Sequence, residues 1–426
     1  MLDRLFALET FGIKLGLENI SRLCDALGHP ERAFTSLHVA GTNGKGSVTA
    51  MTHAALRAAG IHAARYTSPH LAHLAERFVI DDQAVDDTTL ETVAADVLEC
   101  ADRLQAEGVL TVPPTFFEAT TAMAFELFRR AGVEVAVFEV GLGGRFDATN
   151  VLTPVAGAIT TIGFDHQQHL GKTLEQIAFE KAGIIKNGMT IVAGALPPPA
   201  MHVVRAAAAQ RGARLVEAAQ DSRVDWEMRD GRAYLHVRTP TGSYGPMTLA
   251  LRGEHQVGNA VVAIRLLESS GAVSGRIGAA AIAAGLASAD WPARLEVLTL
   301  RDGKRVIIDA AHNEEGAAAL AMYLRRWHPE RPALVIGVMR DKELRPILDA
   351  LLPVTSAVFA TAAPTPRARP AEDLAAHIGD RSVVTEPDPE QAIDRALRTA
   401  DTVCVAGSIF LVGAVRDSLR RRAILP

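Results

Sequence analysis

The chain has 426 residues, 48% hydrophobic and only 5% aromatic, with 44 basic against 49 acidic side chains and a formal net charge of −5 at pH 7. That length supplies two or three ordinary domains, and the acidic balance argues against a nucleic-acid binder, which needs a basic face to displace counterions from phosphates. The three cysteines, Cys24, Cys100 and Cys404, are far apart and form no CxxC pair, so neither a disulfide framework nor a zinc knuckle is implied.

Charges interrupt every apolar stretch of the opening MLDRLFALETFGIKLG, and no later segment reaches the length of a membrane span. A cytoplasmic protein is expected. Short apolar runs alternate with segments of helical period, the pattern of an α/β fold with a mostly parallel sheet. In chain order, strands are expected at 37–40, 133–140, 155–162 and 190–194, rich in β-branched residues and poor in charge. Between them, 88–106 and 118–130 carry helical spacing, and Thr173-Leu174-Glu175-Gln176 reads as a capping box opening a helix through Ala182. The stretch 224–238 alternates around Asp230-Gly231 like a hairpin decorating the sheet. A boundary is expected near 290–296, followed by strands at 295–300 and 305–309 around an Asp302-Gly303 turn, then at 333–338, 357–361, 382–384 and 402–406. Pro197-Pro198-Pro199 and the segment 362–370 read as surface connections.

The strongest local signal is His38-Val39-Ala40-Gly41-Thr42-Asn43-Gly44-Lys45-Gly46-Ser47, a strand entering a glycine-rich turn and then a helix. Glycines let backbone N–H groups close around phosphate oxygens, the lysine adds a point charge, and the helix N-terminus adds its dipole. The run departs from GxxxxGK[ST], since Val39 stands five before Gly44 and Gly46 follows Lys45. A second constellation comprises Ser68 in YTSPH, Glu139 at a strand end and His166 after another strand. In an open α/β sheet, ligands bind at the carboxyl ends of strands, so these groups beside a phosphate loop suggest Mg²⁺ and triphosphate handling. Singly, Glu139 could pair with Arg145, His166 could be a loop histidine and Ser68 could cap a turn. Asp309-Ala310-Ala311-His312-Asn313 again puts an acid, an imidazole and an amide beyond a strand, or simply an N-cap at Asn313.

Ten ordered blocks carry a family resemblance: HVAGTNGKGS, YTSPHL, PTFFEATT, FEVGLGGRFDATN, the stretch from ITTIGFDHQQHL to FEKAGIIK, GEHQVGNA, WPARLE, IDAAHN, GVMRDKE and AGSIFLVG. The chain resembles the Mur ligase superfamily and, within it, the folylpolyglutamate synthase and dihydrofolate synthase branch. The resemblance implies an N-terminal P-loop ATP-binding domain over 1–293 and a smaller, Rossmann-like C-terminal α/β domain over 294–426. It implies ATP-dependent addition of L-glutamate to a folate, and also to dihydropteroate, through an acyl phosphate, by a monomer without nucleic-acid or membrane partners.

By the same resemblance, Gly41, Thr42, Asn43, Gly44, Lys45, Gly46 and Ser47 hold the ATP phosphates. Ser68, Glu139 and His166 look like Mg²⁺ ligands, with two ions expected, and Lys181 matches a lysine that the family carries carbamylated, which would make it a metal ligand too. Asn259 looks like an adenine contact, Arg294 a phosphate contact and Asp309 a ribose contact, with His312 near the reacting centre beside Lys45 and Lys181. Phe116 and Phe117, with Glu118 and Thr121 in the same block, are candidates for the folate substrate, although the two aromatics could equally anchor the core. Only 37 residues precede His38, which leaves no room for the sugar-nucleotide domain of the muramyl ligases. Ala310, Glu314 and Ala293 depart from the usual glycine, proline and glycine. The alternatives are a related ligase acting on another carboxylate and a P-loop switch NTPase.

Overall fold

A computed structural model describes residues 1–12, 14–379 and 382–424. The first sheet has eight strands: β1 (Thr35–Ala40), β2 (Ala63–Tyr66), β3 (Phe78–Ile80), β4 (Gln83–Ala84), β5 (Val135–Glu139), β6 (Ala156–Ile159), β7 (Thr190–Ala193) and β8 (Arg214–Glu217). Their order is β4-β3-β2-β5-β1-β6-β7-β8. All neighbours from β2 through β8 run parallel, while β3 and β4 form an antiparallel edge.

Side chains alternate between two cores, as a period of two requires. Leu37, Val39, Val135 and Val137 enter a core shared with helices Lys45–Ala58, His255–Glu268 and Ala279–Ser288. Ala136 and Phe138 face the opposite core, built with helices Asp87–Ala106 and Phe116–Arg130. Phe138 there meets Phe34, Tyr66, Phe125 and Phe128 at 5.3–5.8 Å between ring centroids. The chain's few aromatics are thus concentrated under the strands that deliver Ser68 and Glu139.

The hairpin around Asp230-Gly231 forms as β9 (Arg223–Arg229) and β10 (Arg232–Arg238), but it stands apart from the large sheet. A third strand, β11 (Ser243–Arg252), pairs with β10 to make a separate antiparallel sheet whose inner residues Leu235, Val237 and Leu249 join the first core. Pro198 and Pro199 do not lie in a loop. They open helix Pro198–Gln210, where a missing N–H costs nothing in the first turn.

The last sheet contains β12 (Glu296–Thr299), β13 (Arg305–Ile308), β14 (Ala333–Ile336), β15 (Val358–Ala360), β16 (Val383–Thr385) and β17 (Thr402–Ala406), in the order β12-β13-β17-β14-β15-β16. Only β12 is antiparallel, joined to β13 through the Asp302-Gly303 turn. Ile307, Leu334 and Ile336 point to one core, Val306, Ile308 and Val335 to the other. Ala293, immediately before this unit, takes φ +58 and is fully buried. A left-handed backbone there is what a glycine would adopt without strain. Among the described residues no helix is long and apolar enough to cross a membrane, and all three cysteines are free and buried.

Candidate active site

The carboxyl ends of β1, β5, β6 and β13 open on one cavity of about 480 Å³ between the two large sheets. The phosphate loop forms one wall. Gly44 caps helix Lys45–Ala58 at φ +82, a conformation that only glycine takes freely, so the first turn's N–H groups face the cavity. The loop is tied to the start of the segment after β6: Thr42 N–H donates to Thr161 O at 2.8 Å, Asn43 N–H to Thr161 Oγ1 at 2.9 Å, and Thr160 Oγ1 to Asn43 O at 2.6 Å. Lys45 Nζ donates to Gly41 O and Thr42 O at 3.1 and 3.2 Å, folded over its own loop. Gly46 is required for a different reason, because a methyl group there would collide with the indole of Trp291.

Glu139 ends β5 beside the loop. Burial pushes its carboxyl above the usual range, opposed by Lys45, by the Ser68 N–H at 3.3 Å and by Arg294. Among the described residues it has no ion-pair partner; Arg145, its suggested partner, binds Glu180 at 2.6 Å instead. Ser68 and His166 line the same cavity. His166 sits at φ +48, and burial pushes its imidazole down to about 4, so the ring is neutral, with one nitrogen carrying a lone pair.

Lys181, near the end of helix Leu174–Ala182, is buried and reaches back to donate to Gly41 O at 2.7 Å. Burial and then the neighbouring Lys45 push its ammonium down to about 7. A lysine on an exposed helix face would show no such shift. The capping box at Thr173 and Gln176 forms as expected and fixes where this helix starts.

From the opposite sheet come Arg294, Asp309 and His312. Asp309 is buried, which raises its carboxyl, and it accepts the N–H groups of Leu295 and Ala311, each at 2.8 Å. It therefore also pins the hinge to β13. Asn313 does cap helix Glu314–Trp327, accepting Gly316 N–H at 2.9 Å, while its amide donates across the cleft to Asn43 Oδ1 and Asp165 Oδ2 at 3.0 and 3.2 Å. Asn259 lies over Gly44, bonded to Gln256, which in turn reaches Ser47 Oγ.

Asp165 is the residue that sequence reasoning passed over. It ion-pairs with Lys342, both side chains being 9% exposed, and stands 3.5 Å from His312 Nε2. Burial alone would raise its carboxyl, but His312, His166 and Lys342 hold it well below the usual carboxylate range. Asn43 also donates to Glu315 at 2.8 Å. Residues of the first unit are thus bonded to four residues of the second across the cavity.

The folate candidates fall elsewhere. Phe116 stacks on Phe6 at 5.7 Å beneath the Arg77 guanidinium, Glu118 closes a capping box with Thr115, and Thr121 stands 3.4 Å from the Tyr66 hydroxyl. None of them lines the cavity. Phe117 also stands behind the wall, supporting Gly141, whose missing side chain makes room for the ring. The bland alternative, helix and core anchors, describes their geometry.

Two sequence patterns cover most of the chain: the Mur ligase middle domain over residues 39–267 and the Mur ligase glutamate ligase domain over 293–409. The dihydrofolate synthase/folylpolyglutamate synthase of Bacillus subtilis is 34% identical over 421 residues, covering 96% of each chain. The chain belongs to the folylpolyglutamate synthase/dihydrofolate synthase family of Mur ligases. Its fold matches that of the Mycobacterium tuberculosis folylpolyglutamate synthase complexed with ADP and AMPPCP, with a TM-score of 0.92, 34% identity and 99% of both chains covered. Escherichia coli FolC in complex with DHPP and ADP gives a TM-score of 0.88 at 29% identity, covering 99% of this chain and 98% of that one.

Trp291 links the hinge to the phosphate loop, and that contact is testable. Gly46→Ala is expected to displace the indole and shift the loop, weakening nucleotide binding by about 100-fold with unchanged secondary structure. Calorimetric titration with ADP, alongside circular dichroism, checks it; wild-type affinity would show that the loop does not depend on this packing.

Proposed function

We propose that this chain is an ATP-dependent ligase that adds L-glutamate to a folate and, in a related reaction, to dihydropteroate. The observation that carries the reading is a phosphate loop facing Arg294, Asp309 and His312 across one cavity, with Glu139 and Lys181 buried beside the loop. Family membership adds the reaction class. Both walls come from one chain, so a monomer suffices, with the hinge at 293–294 between two domains.

A carboxylate and an ammonium ion do not condense in water, so the substrate carboxylate first attacks the γ-phosphorus and displaces ADP. The glutamate amine, having lost a proton, then attacks the acyl carbon, and phosphate leaves. The chain's residues meet the charge problem of the first step. Backbone N–H groups of residues 41–47 and Lys45 hold the phosphates, and Arg294 adds a second cation from the hinge. Asp309 orients the hinge, and His312 lies where the amine would approach. Asp165 and Asn313 hold the walls together, which keeps water from an acyl phosphate.

The donor set fits Mg²⁺. Glu139 is a buried carboxylate with no cationic partner among the described residues, Ser68 N–H already touches it, and His166 offers a neutral imidazole on the same wall. Bound there, Mg²⁺ would screen the repulsion between substrate carboxylate and triphosphate. Lys181 fits carbamylation: its buried amine has no carboxylate at ion-pair distance among the described residues and sits beside Lys45. Its nitrogen attacks the carbon of CO₂ and loses one proton, giving a carbamate anion able to serve a second ion.

Two measurements test this. ADP release should require both L-glutamate and a folate or dihydropteroate, and Glu139→Gln should lower turnover by about 100-fold or more; equal ATP turnover without glutamate would leave a switch NTPase. With ¹³C-bicarbonate, a carbamate carbon resonance should grow as pH rises through about 7, where the Lys181 amine becomes neutral, and vanish in Lys181→Ala. A wild-type spectrum without that resonance rules the carbamate out.

A further inference from the structure

A second cavity, of about 260 Å³, lies behind the hinge between β2, the loop that follows it, and helix Ile409–Arg422. Pro69, Arg294 and Ile409 belong to the walls of both cavities. Four guanidinium groups from three separate parts of the chain converge on it: Arg65, Arg294, Arg416 and Arg420.

Arg416 and Arg420 stand one helical turn apart, and each gives only its Nε to Glu296, at 2.9 and 3.0 Å. The Ala293 N–H donates to the same carboxylate at 3.0 Å. Both stems are therefore fixed, and among the described residues the Nη groups of these two arginines make no hydrogen bond. Arg65 lies over the Trp291 ring at 5.6 Å and donates to the Asp290 carbonyl at 3.4 Å. Its Nε and the Trp291 Nε1 are buried without acceptors.

Three carboxylates share the walls and oppose an anion unequally. Glu76 is consumed by the N–H groups of Leu71, Ala72 and His73, at 2.6, 3.1 and 3.0 Å. Asp82 pairs with Arg57 at 3.7 Å on the solvent side. Asp290, exposed, acts most strongly on Arg65, with Asp82 and then Glu139 adding to it.

We infer that this second cavity is an oxyanion site distinct from the phosphate loop, taking a small multivalent oxyanion: inorganic phosphate or the carboxylates of a γ-glutamyl chain. Guanidinium forks match both geometries, and parallel forks held by a shared carboxylate are pre-organised for them. Only the choice of these two sources rests on the proposed function, since a glutamate ligase releases the first and builds the second beyond the shared wall. Trp291 touches Arg65 on the cavity side and Gly46 on the other, so one indole borders both sites.

Calorimetric titration of the whole chain saturated with ADP, with inorganic phosphate in one series and γ-glutamylglutamate in another, tests the site. One oxyanion per chain should bind with ADP in place, and the series that saturates names the source. Arg420→Gln should weaken that binding by about tenfold or more while leaving ADP affinity unchanged. Arg65→Lys, which keeps the charge and loses the fork, should weaken it as well. Absence of binding in both series, displacement of ADP by the anion, or wild-type affinity in both variants would overturn the site. Failure of ADP itself to bind would count instead against the proposed function.

Discussion

One buried carboxylate is shared between the two halves of this protein. Asp165 follows β6 in the first unit, yet its contacts are with Lys342, His312 and Asn313 of the second. A buried carboxylate is costly unless paired and hydrogen-bonded. Here the pairing can be met only when the two sheets approach, so the cost of burying Asp165 becomes a preference for the closed cleft. Asn43 extends the bridge to Glu315, which brings the phosphate loop into the same network.

The chemistry on either side follows from that closeness. The first sheet brings the loop 41–47, Lys45 and Glu139 to the cavity; the second brings Arg294, Asp309 and His312. Neither set completes a site alone. The overall negative charge is consistent with anionic ligands because the cations are gathered at the cleft and hinge, where their field is focused. Lys181 lies in the same gathering of charge, and its burial beside Lys45 depresses its ammonium to about 7.

The sequence was legible where chemistry is local. Glycines and a lysine between a strand and a helix announced the phosphate loop, β17 matched its predicted limits at 402–406, and the Thr173 capping box stood where its residues require. The short strand β2 and strand β11 escaped, the first being only four residues with an arginine inside, the second carrying Gly245-Pro246 near its start. Phe116 and Phe117 could be read as a ligand platform or as core anchors because aromatic residues serve both; the structure places them among Phe6, Arg77 and Tyr66, outside the cavity. Asp165 could not be found, since its partners Asn313 and Lys342 lie 148 and 177 residues away. Lys181 emerged only through the family resemblance, because its burial is a property of the packed helix and not of its neighbours in sequence.

Closure through Asp165 should protect the activated substrate from water. The direct measurement is the ratio of ADP released to amide formed in Asp165→Asn, with product followed by mass. Asparagine keeps the shape and removes the charge that Lys342 meets, so ADP release should exceed amide formation by about tenfold, against near equality in the wild type. A variant whose two yields stay equal, at whatever rate, would show that Asp165 does not exclude water from the activated substrate.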